Sequence, residues 1–154
     1  DGWNFGVSLA KNDLCLLMGS DDVLYPDCLD EVREAYLAHD KLDAWYNLTI
    51  EITEGYDKGI HSVFNNAAAV TRGLWKILGG FPPSAGVGAP DALLISIMMV
   101  HMSERLIQVK EGTPLYWVRV HNAQDTQRQA GVFNWEVIQI RDKETARWQK
   151  PTWT

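Results

Sequence analysis

The order of apolar and polar positions along the chain predicts strands separated by helices. Residues 14–18 form an unbroken apolar run of strand length, typical of a strand covered on both faces, as in a parallel sheet. Over residues 44–52 apolar and polar side chains alternate, and this period of two predicts a half-exposed strand. Shorter runs predict strands at 66–71, 106–110 and 115–120, and a turn or hairpin tip at 53–62.

Helical spacing marks the segments between these strands. A helix near Pro26 has acidic residues in its first turn, which favour the helix dipole, and a predicted apolar stripe of Leu29, Val32 and Tyr36. A short helix at 72–78 is closed by a glycine. Further helical patterns cover residues 5–11, 91–105 and 134–148. The first is the end of a helix, and the second is strongly apolar and is therefore predicted to be buried.

This order predicts one α/β domain built on a sheet of mixed direction. Proline and glycine cluster only at 79–88, a loop inside the domain, because each side of it is too short to fold alone. An open α/β sheet normally begins with its own nucleotide-binding half. Here the first clear element is a helix that leads into a strand, so we expect the front of the fold to be missing.

Composition narrows the functional classes. The chain is 46% apolar and 22% charged, as in soluble globular proteins, and its net charge of −6 argues against nucleic-acid binding. No apolar run approaches the roughly 20 residues of a membrane span. The two cysteines, Cys15 and Cys28, form neither a CxxC pair nor a disulfide framework, which favours a reducing, cytoplasmic location.

Asp21 and Asp22 directly follow the predicted strand at 14–18. Ligands of open α/β sheets bind outside the carboxyl ends of strands, and adjacent carboxylates suit Mn²⁺ or Mg²⁺. Gly19 and Ser20 let the chain turn sharply beside a ligand. The alternative is an Asx turn that caps the following helix, and composition alone does not decide between the two.

The first 26 residues contain, in chain order, the motifs Asn4-Phe5-Gly6, Ala10-Lys11, the apolar strand and Ser20-Asp21-Asp22. This series of motifs resembles the family 2 glycosyltransferases of GT-A fold. The resemblance implies that Asp21 is a metal ligand and that Gly19, Ser20 and Asp22 lie against the donor or acceptor. The family's first acidic residue falls on Gly19, a departure that weakens the expected nucleotide contact.

Later segments extend the resemblance to about residue 126. Gly79 and Gly80, followed by Phe81, resemble the family's Gly-Gly-Phe segment, whose backbone lines the acceptor side. Asp91 matches the general base of inverting members, with Pro90 in place of the usual Glu. The alternative role for Asp91 is a helix N-cap, and both roles can hold at once.

The final strand resembles the family's closing segment, in which some members use a histidine as a metal ligand. His121 occupies that position here, although a lone histidine at a strand end is more often a surface or packing residue. We interpret the other three histidines as structural. The chain has seven tryptophans, and packing is the expected role of Trp45, Trp75 and Trp117. The later tryptophans are expected to cover exposed core or to contact a partner chain; they are Trp135, Trp148 and Trp153.

These predictions describe a mixed three-layer GT-A-like sheet flanked by helices and truncated on its N-terminal side. We expect a single partial domain over 1–154, family-like to 126, with a helical tail over 127–154. The expected function is metal-dependent, inverting transfer of a sugar from a nucleotide-diphosphate sugar to an unknown acceptor, which is a glycan, lipid or protein. An open sheet edge favours self-association.

Two alternatives stay open. The first is a non-catalytic remnant or interaction module of the same fold, favoured by Gly19, by Pro90 and by the missing front. The second is another Asp-Asp metal enzyme such as a phosphotransferase, although the chain has no GxxxxGK phosphate loop.

Overall fold

The computed structural model describes residues 2–54, 58–62, 64, 67–81, 90–119 and 142–149, and of residues 90–92 only the backbone. The helices are α1 (Gly2–Leu9), α2 (Cys28–Ala38), α3 (Arg72–Leu78) and α4 (Pro90–His101), with a 3-10 turn at Ser103–Arg105. The strands are β1 (Leu14–Leu17), β2 (Val23–Leu24), β3 (Trp45–Leu48), β4 (Ile50–Ile52), β5 (Gly59–His61), β6 (Ala68–Thr71), β7 (Leu106–Val109) and β8 (Tyr116–Val118). Residues 142–147 are also helical.

The first sheet has the strand order β1-β6-β3-β7. Strand β6 is antiparallel to both of its neighbours, whereas β3 and β7 are parallel. Strands β1, β3 and β7 therefore run in one direction, and their C-terminal ends share one edge of the sheet. The expectation of parallel pairing is wrong for β1, which lies antiparallel to β6. Its side chains do pack on both faces, Cys15 and Leu17 with one core cluster and Leu14 and Leu16 with another, although three of its four residues are only half-buried.

The second sheet has the order β2-β8-β4-β5, with β4 parallel to β8 and an antiparallel strand on either side. The chain crosses from the first sheet to the second at Thr49, which is fully buried. The single strand predicted over 44–52 is therefore two strands. All four residues of β3 are buried, and the predicted half-exposure holds only for β4.

Helices cover both faces of the first sheet, which gives it three layers. Trp45 packs in a cluster with side chains of α1, α3 and α4. Tyr46, the next residue, points to the opposite face and packs with α2 and the second sheet. This is why β3 is buried despite its alternating sequence: it lies between β6 and β7, and both of its faces meet apolar side chains.

The short helix α3 follows the sequence prediction closely. Thr71 is its N-cap, and its hydroxyl accepts a hydrogen bond from the Leu74 N–H at 3.2 Å. Gly79 closes the helix with a φ of 81°, a left-handed conformation that glycine adopts without strain. Local signals were sufficient here because both caps lie next to the helix in sequence.

Two other helices differ from prediction. The buried stripe of α2 starts at Cys28 and includes Val32, whereas Leu29 is 61% exposed. Helix α4 ends at His101 rather than at residue 105, because the chain turns into the 3-10 segment. None of the helices in the described part of the chain is long and apolar enough to cross a membrane.

Several predicted features lie outside the described residues. They are residues 82–88 of the predicted loop, His121, Trp135, Trp153 and the tail apart from 142–149.

Candidate functional site

The segment Gly19–Asp22, here named the acidic turn, lies at the edge where β1, β3 and β7 end. It follows β1 after a single residue and leads directly into β2, so it joins the first sheet to the second. A backbone hydrogen bond from the Asp22 N–H to the Gly19 carbonyl, at 3.4 Å, closes the turn. The two carboxylates are thus placed at the carboxyl end of a strand, as predicted.

Tyr116 of β8 fixes the acidic turn from the second sheet. Its phenolic oxygen accepts a hydrogen bond from the Gly19 N–H and donates one to Asp22 Oδ2, both at 2.8 Å. The Arg119 N–H donates to Asp22 Oδ1 at 3.1 Å. Each oxygen of Asp22 therefore accepts one hydrogen bond, and the orientation of this carboxylate is set by residues far away in the sequence.

The pKa of Tyr116 is raised above its ordinary value, so its phenol stays a hydrogen-bond donor further into alkaline solution than an exposed tyrosine does. Burial is the main cause, since the side chain is 3% exposed, and the hydrogen bond to Asp22 adds to the rise. The Gly19 N–H acts in the opposite direction. The neutral phenol accordingly donates to the Asp22 carboxylate at neutral pH.

Gly19 is required by the position of Asp22. A Cβ atom on Gly19 would lie 2.4 Å from Asp22 Oδ2 and 3.3 Å from Asp21 Oδ1. Asp22 cannot move away without losing its bonds to Tyr116 and Arg119. The glycine that departs from the family pattern is therefore part of the arrangement that orients Asp22.

The structure also bears on the alternative of a helix-capping turn. The N-cap of α2 is Asp27, five residues beyond Asp22. Asp21 and Asp22 are both half-buried at the sheet edge, and Ser20 is exposed beside them. Capping of α2 consequently does not explain the carboxylate pair.

A second turn, Gly79–Phe81, here named the glycine turn, is held by Asn4 of α1. Asn4 Oδ1 accepts hydrogen bonds from the Phe81 N–H at 2.7 Å and from Trp75 Nε1–H at 3.0 Å. Asn4 Nδ2 donates to the Phe81 carbonyl at 2.8 Å. A Cβ on Gly80, whose φ is 82°, would lie 2.9 Å from Asn4 Oδ1. Two motifs of the family resemblance thus meet across 77 residues of sequence.

The glycine turn borders a cleft of about 260 Å³. Helix α4 and the helical segment 142–147 form other parts of its wall, where Glu144, Arg147 and Trp148 contribute side chains. Trp148 also borders a second cleft, of about 380 Å³, next to His101. The tail tryptophan therefore packs at the glycine-turn side of the molecule, in line with the expectation that it covers core residues.

The sequence analysis did not predict a series of hydrogen-bonded polar side chains at the C-terminal edge of the first sheet, the edge at which the acidic turn also lies. Asn47, fully buried near the end of β3, donates to Gln108 Oε1 of β7 at 2.7 Å. Gln108 Nε2 donates to Thr49 Oγ1 at 3.2 Å, and Thr49 in turn bonds to Ser62 Oγ at 3.0 Å. No signal in the sequence indicated it, because the alternation over residues 44–52 predicts a half-exposed strand, in which polar side chains need no buried partner.

The remaining predicted site residues are only partly described. Asp91 lies in the first turn of α4, and its backbone alone is described. His121 lies beyond the last described residue of this segment. Among the described side chains, no group of three or more His, Cys, Asp and Glu residues is arranged to hold a metal ion. This statement does not cover a metal site that includes His121, because His121 lies outside the described residues.

The carboxylate pair nevertheless has the chemistry for a hard divalent cation. Mg²⁺ is commonly held by one or two carboxylates, with substrate phosphates and water completing its coordination. Asp21 and Asp22 offer such a pair, and Asp22 is already oriented by hydrogen bonds.

A scan against protein-family models and a search of curated proteins find no match to this chain. Its functional assignment accordingly rests on its motifs and on the geometry of the two turns.

Proposed function

We propose that this chain is the catalytic and acceptor-binding part of a metal-dependent, inverting glycosyltransferase of GT-A fold. The acidic turn is the observation that supports the proposal most strongly. It places two adjacent carboxylates at the shared C-terminal edge of β1, β3 and β7, where α/β sheets bind ligands. The meeting of Asn4 with the glycine turn adds support, because both segments belong to the family resemblance.

The two aspartates have different roles in this proposal. Asp22 accepts hydrogen bonds at both oxygens, so it shapes the turn and adds negative charge near the cation. Asp21 is the direct ligand of Mn²⁺ or Mg²⁺, with His121 as a further ligand. The cation, when bound, neutralises the charge that develops on the leaving nucleoside diphosphate.

Asp91 is the general base of the proposed reaction. It removes the proton from the acceptor hydroxyl as that oxygen attacks the sugar, which inverts the configuration at the anomeric carbon. Its position follows the glycine turn by ten residues, at the start of α4. Gly79 and Gly80 line the acceptor side in this proposal, and Gly19 and Ser20 lie on the donor side.

Calorimetric titration of Mn²⁺, with and without UDP, tests the proposal directly. We expect UDP to tighten Mn²⁺ binding and Asp21→Asn to weaken it at least about tenfold, which corresponds to about 1.4 kcal/mol. Asp30→Asn is the matched control, because Asp30 is an exposed carboxylate on α2. If Asp21→Asn binds Mn²⁺ as tightly as the parent chain does, the metal assignment is wrong.

The alternative of a non-catalytic remnant has its own structural support. An acidic side chain at position 19, as in the family pattern, conflicts with the observed position of Asp22. In a remnant, Mn²⁺ binding would not respond to UDP, so the same titration separates the two proposals.

Two further parts of the proposal concern the cellular location and the self-association of the protein. We propose a cytoplasmic location, because both cysteines are free thiols. We also propose self-association through β1, which within the described sheet pairs only with β6. Sedimentation that shows a stable monomer at high micromolar concentration would contradict the second point.

A further inference from the structure

The second sheet packs against the core with one face, and its other face, here called the open face, carries the more exposed side chains among the described residues. Its cross-strand register aligns Val23, Trp117, Glu51 and Ile60 in a single row across all four strands. Val23 and Ile60, at the two ends of this row, are 41% and 54% exposed, and the two central residues are half-buried. At a strand spacing of about 4.8 Å, the row is about 14 Å long.

The neighbouring row points in the opposite direction and anchors the sheet. It contains Leu24, Tyr116 and Ile50, which pack against the cluster that includes α2. Because side chains alternate along a strand, burial of this row fixes the first row on the solvent side. The open face is therefore one side of a sheet whose other side packs against the core.

Hydrogen bonds between side chains order the open face. The Tyr25 hydroxyl donates to Glu51 Oε2, and Trp117 Nε1–H donates to Thr53 Oγ1 at 3.2 Å. The first bond orients the carboxylate, and the second fixes the rotation of the indole ring. We name the surface formed by Val23, Tyr25, Glu51, Thr53, Ile60 and Trp117 the outer face.

The outer face adjoins the acidic turn. Val23 follows Asp22 directly, and the Arg119 N–H, two residues beyond Trp117, donates to Asp22 Oδ1. A molecule lying along the outer face would consequently have one end at the carboxylate pair.

We propose that the outer face binds a pyranose ring of a neutral carbohydrate, which serves as acceptor or as part of a longer acceptor glycan. The assignment of the outer face as an acceptor site rests on the proposed function, whereas the inference that it binds a sugar does not. Aromatic rings offer an apolar face to the C–H groups of a sugar, and a carboxylate accepts hydrogen bonds from its hydroxyls. Trp117 and Glu51 are adjacent in the row and supply these two elements.

The chemistry of this surface favours a sugar over other ligands. A carboxylate at the centre of the row, in a chain of net charge −6, disfavours nucleic acid and other polyanions. A protein interface would be expected to have an apolar centre and a polar rim. The outer face differs from this pattern, because a carboxylate lies beside the indole ring at its centre and its exposed aliphatic residues are at the ends of the row.

The test is a nitrogen-15 NMR titration of the protein with methyl glycosides of glucose, galactose, mannose and N-acetylglucosamine, each up to about 10 mM. We expect at least one glycoside to shift the indole N–H signal of Trp117, with a Kd of about 1 mM. Trp117→Ala should weaken binding at least tenfold and Glu51→Gln several-fold. Phe5→Ala and Glu34→Gln are controls that remove an exposed ring and an exposed carboxylate from α1 and α2, and they should bind as the parent does.

Three results would overturn the inference. They are no glycoside-dependent shift on the outer face, equal binding by parent and Glu51→Gln, and concentration-dependent broadening of these signals without sugar, which would make the face a protein contact. Glu51→Gln preserves the shape of the side chain, so it tests the inference even if Trp117→Ala fails to fold. Glycoside binding without UDP-dependent Mn²⁺ binding would leave this inference standing and remove the proposed transferase function.

Discussion

The acidic turn and the glycine turn are held in the same way, by one side chain from a distant part of the chain. Tyr116 reaches Gly19 across 97 residues, and Asn4 reaches Phe81 across 77. In both turns a glycine leaves room for the bonded oxygen, since a Cβ at Gly19 or Gly80 would lie within 3 Å of a carboxylate or amide oxygen. The two turns differ in what the distant side chain holds.

Asn4 holds the backbone of Phe81, and the result is a buried ring. Phe81 is 7% exposed and lies 5.1 Å from Trp3 and 6.3 Å from Trp45, measured between ring centroids. Tyr116 holds a carboxylate, and the result is an oriented charge at a half-buried surface. The comparison teaches that similar hydrogen bonding can position a packed ring in one turn and an oriented carboxylate in the other.

The largest expected effect is on the rate of sugar transfer, and it tests whether Asp91, which follows the glycine turn along the chain, acts as the general base. Asp91→Asn retains an oxygen that can cap a helix and removes the basicity, so we expect sugar transfer to fall by about 10²–10⁴-fold. The melting temperature should remain unchanged. The measurement is transfer by an active preparation of the protein, and transfer within a few-fold of the parent would exclude Asp91 as the general base.

Asn4→Ala should produce the largest loss of stability. It removes three hydrogen bonds and leaves the Phe81 and Trp75 N–H donors without this acceptor, so we expect a loss of about 3 kcal/mol in the free energy of unfolding. Urea denaturation measures it. Ser8→Ala on the same helix removes an exposed hydroxyl and should change stability by less than about 0.5 kcal/mol. Equal effects from the two variants would show that Asn4 does not hold the glycine turn.

A pair of glycine variants separates backbone strain from contact with Asn4. Gly80 and Gly112 have φ angles of 82° and 76°, but only Gly80 has an oxygen within 3 Å of the added Cβ. We expect Gly112→Ala to cost about 1 kcal/mol, the price of a left-handed alanine, and Gly80→Ala about 2 kcal/mol or more. Matched unfolding curves for the two variants give the difference, and no difference would mean that Asn4 shifts freely.

Tyr116→Phe should have a smaller effect at pH 7 than Gly80→Ala, a loss of about 1–2 kcal/mol, because it removes the hydrogen bonds to Gly19 and Asp22. The raised pKa of Tyr116 makes this difference depend on pH. Its stabilising contribution is complete below the unfolded pKa of about 10 and declines above it, as the unfolded phenol loses its proton. The gap between parent and variant should therefore narrow in alkaline solution.

Tyr46→Phe is the control for this pH dependence. Burial raises the pKa of Tyr46 to about 12, and its hydroxyl donates to the Leu42 carbonyl at 2.9 Å. Its contribution should decline between pH 10 and about 12 without any change in Mn²⁺ binding. A gap for Tyr116→Phe that stays constant with pH would contradict the raised pKa of Tyr116.

Local signals predicted several elements correctly. The apolar run predicted β1, Gly79 marked the end of α3, and the carboxylates lie directly beyond a strand end as expected. The capping role of Thr71 was not predicted, because this residue was assigned to the preceding strand. The sequence did not show that Thr49 divides one alternating segment between two sheets. It also favoured packing for Trp117, whereas the register places this residue on an open face beside Glu51.

By itself, the sequence determined the helices and strands with strong local patterns, the mixed α/β class and the position of the acidic turn after β1. Only the tertiary structure decided that Tyr116 and Arg119 orient Asp22, that Asn4 holds the glycine turn, and that one face of the second sheet stays open. The physical reason is distance along the chain. A hydrogen bond between residues 94 positions apart depends on strand order and register, which arise from burial of both faces of β3 and from no single local pattern.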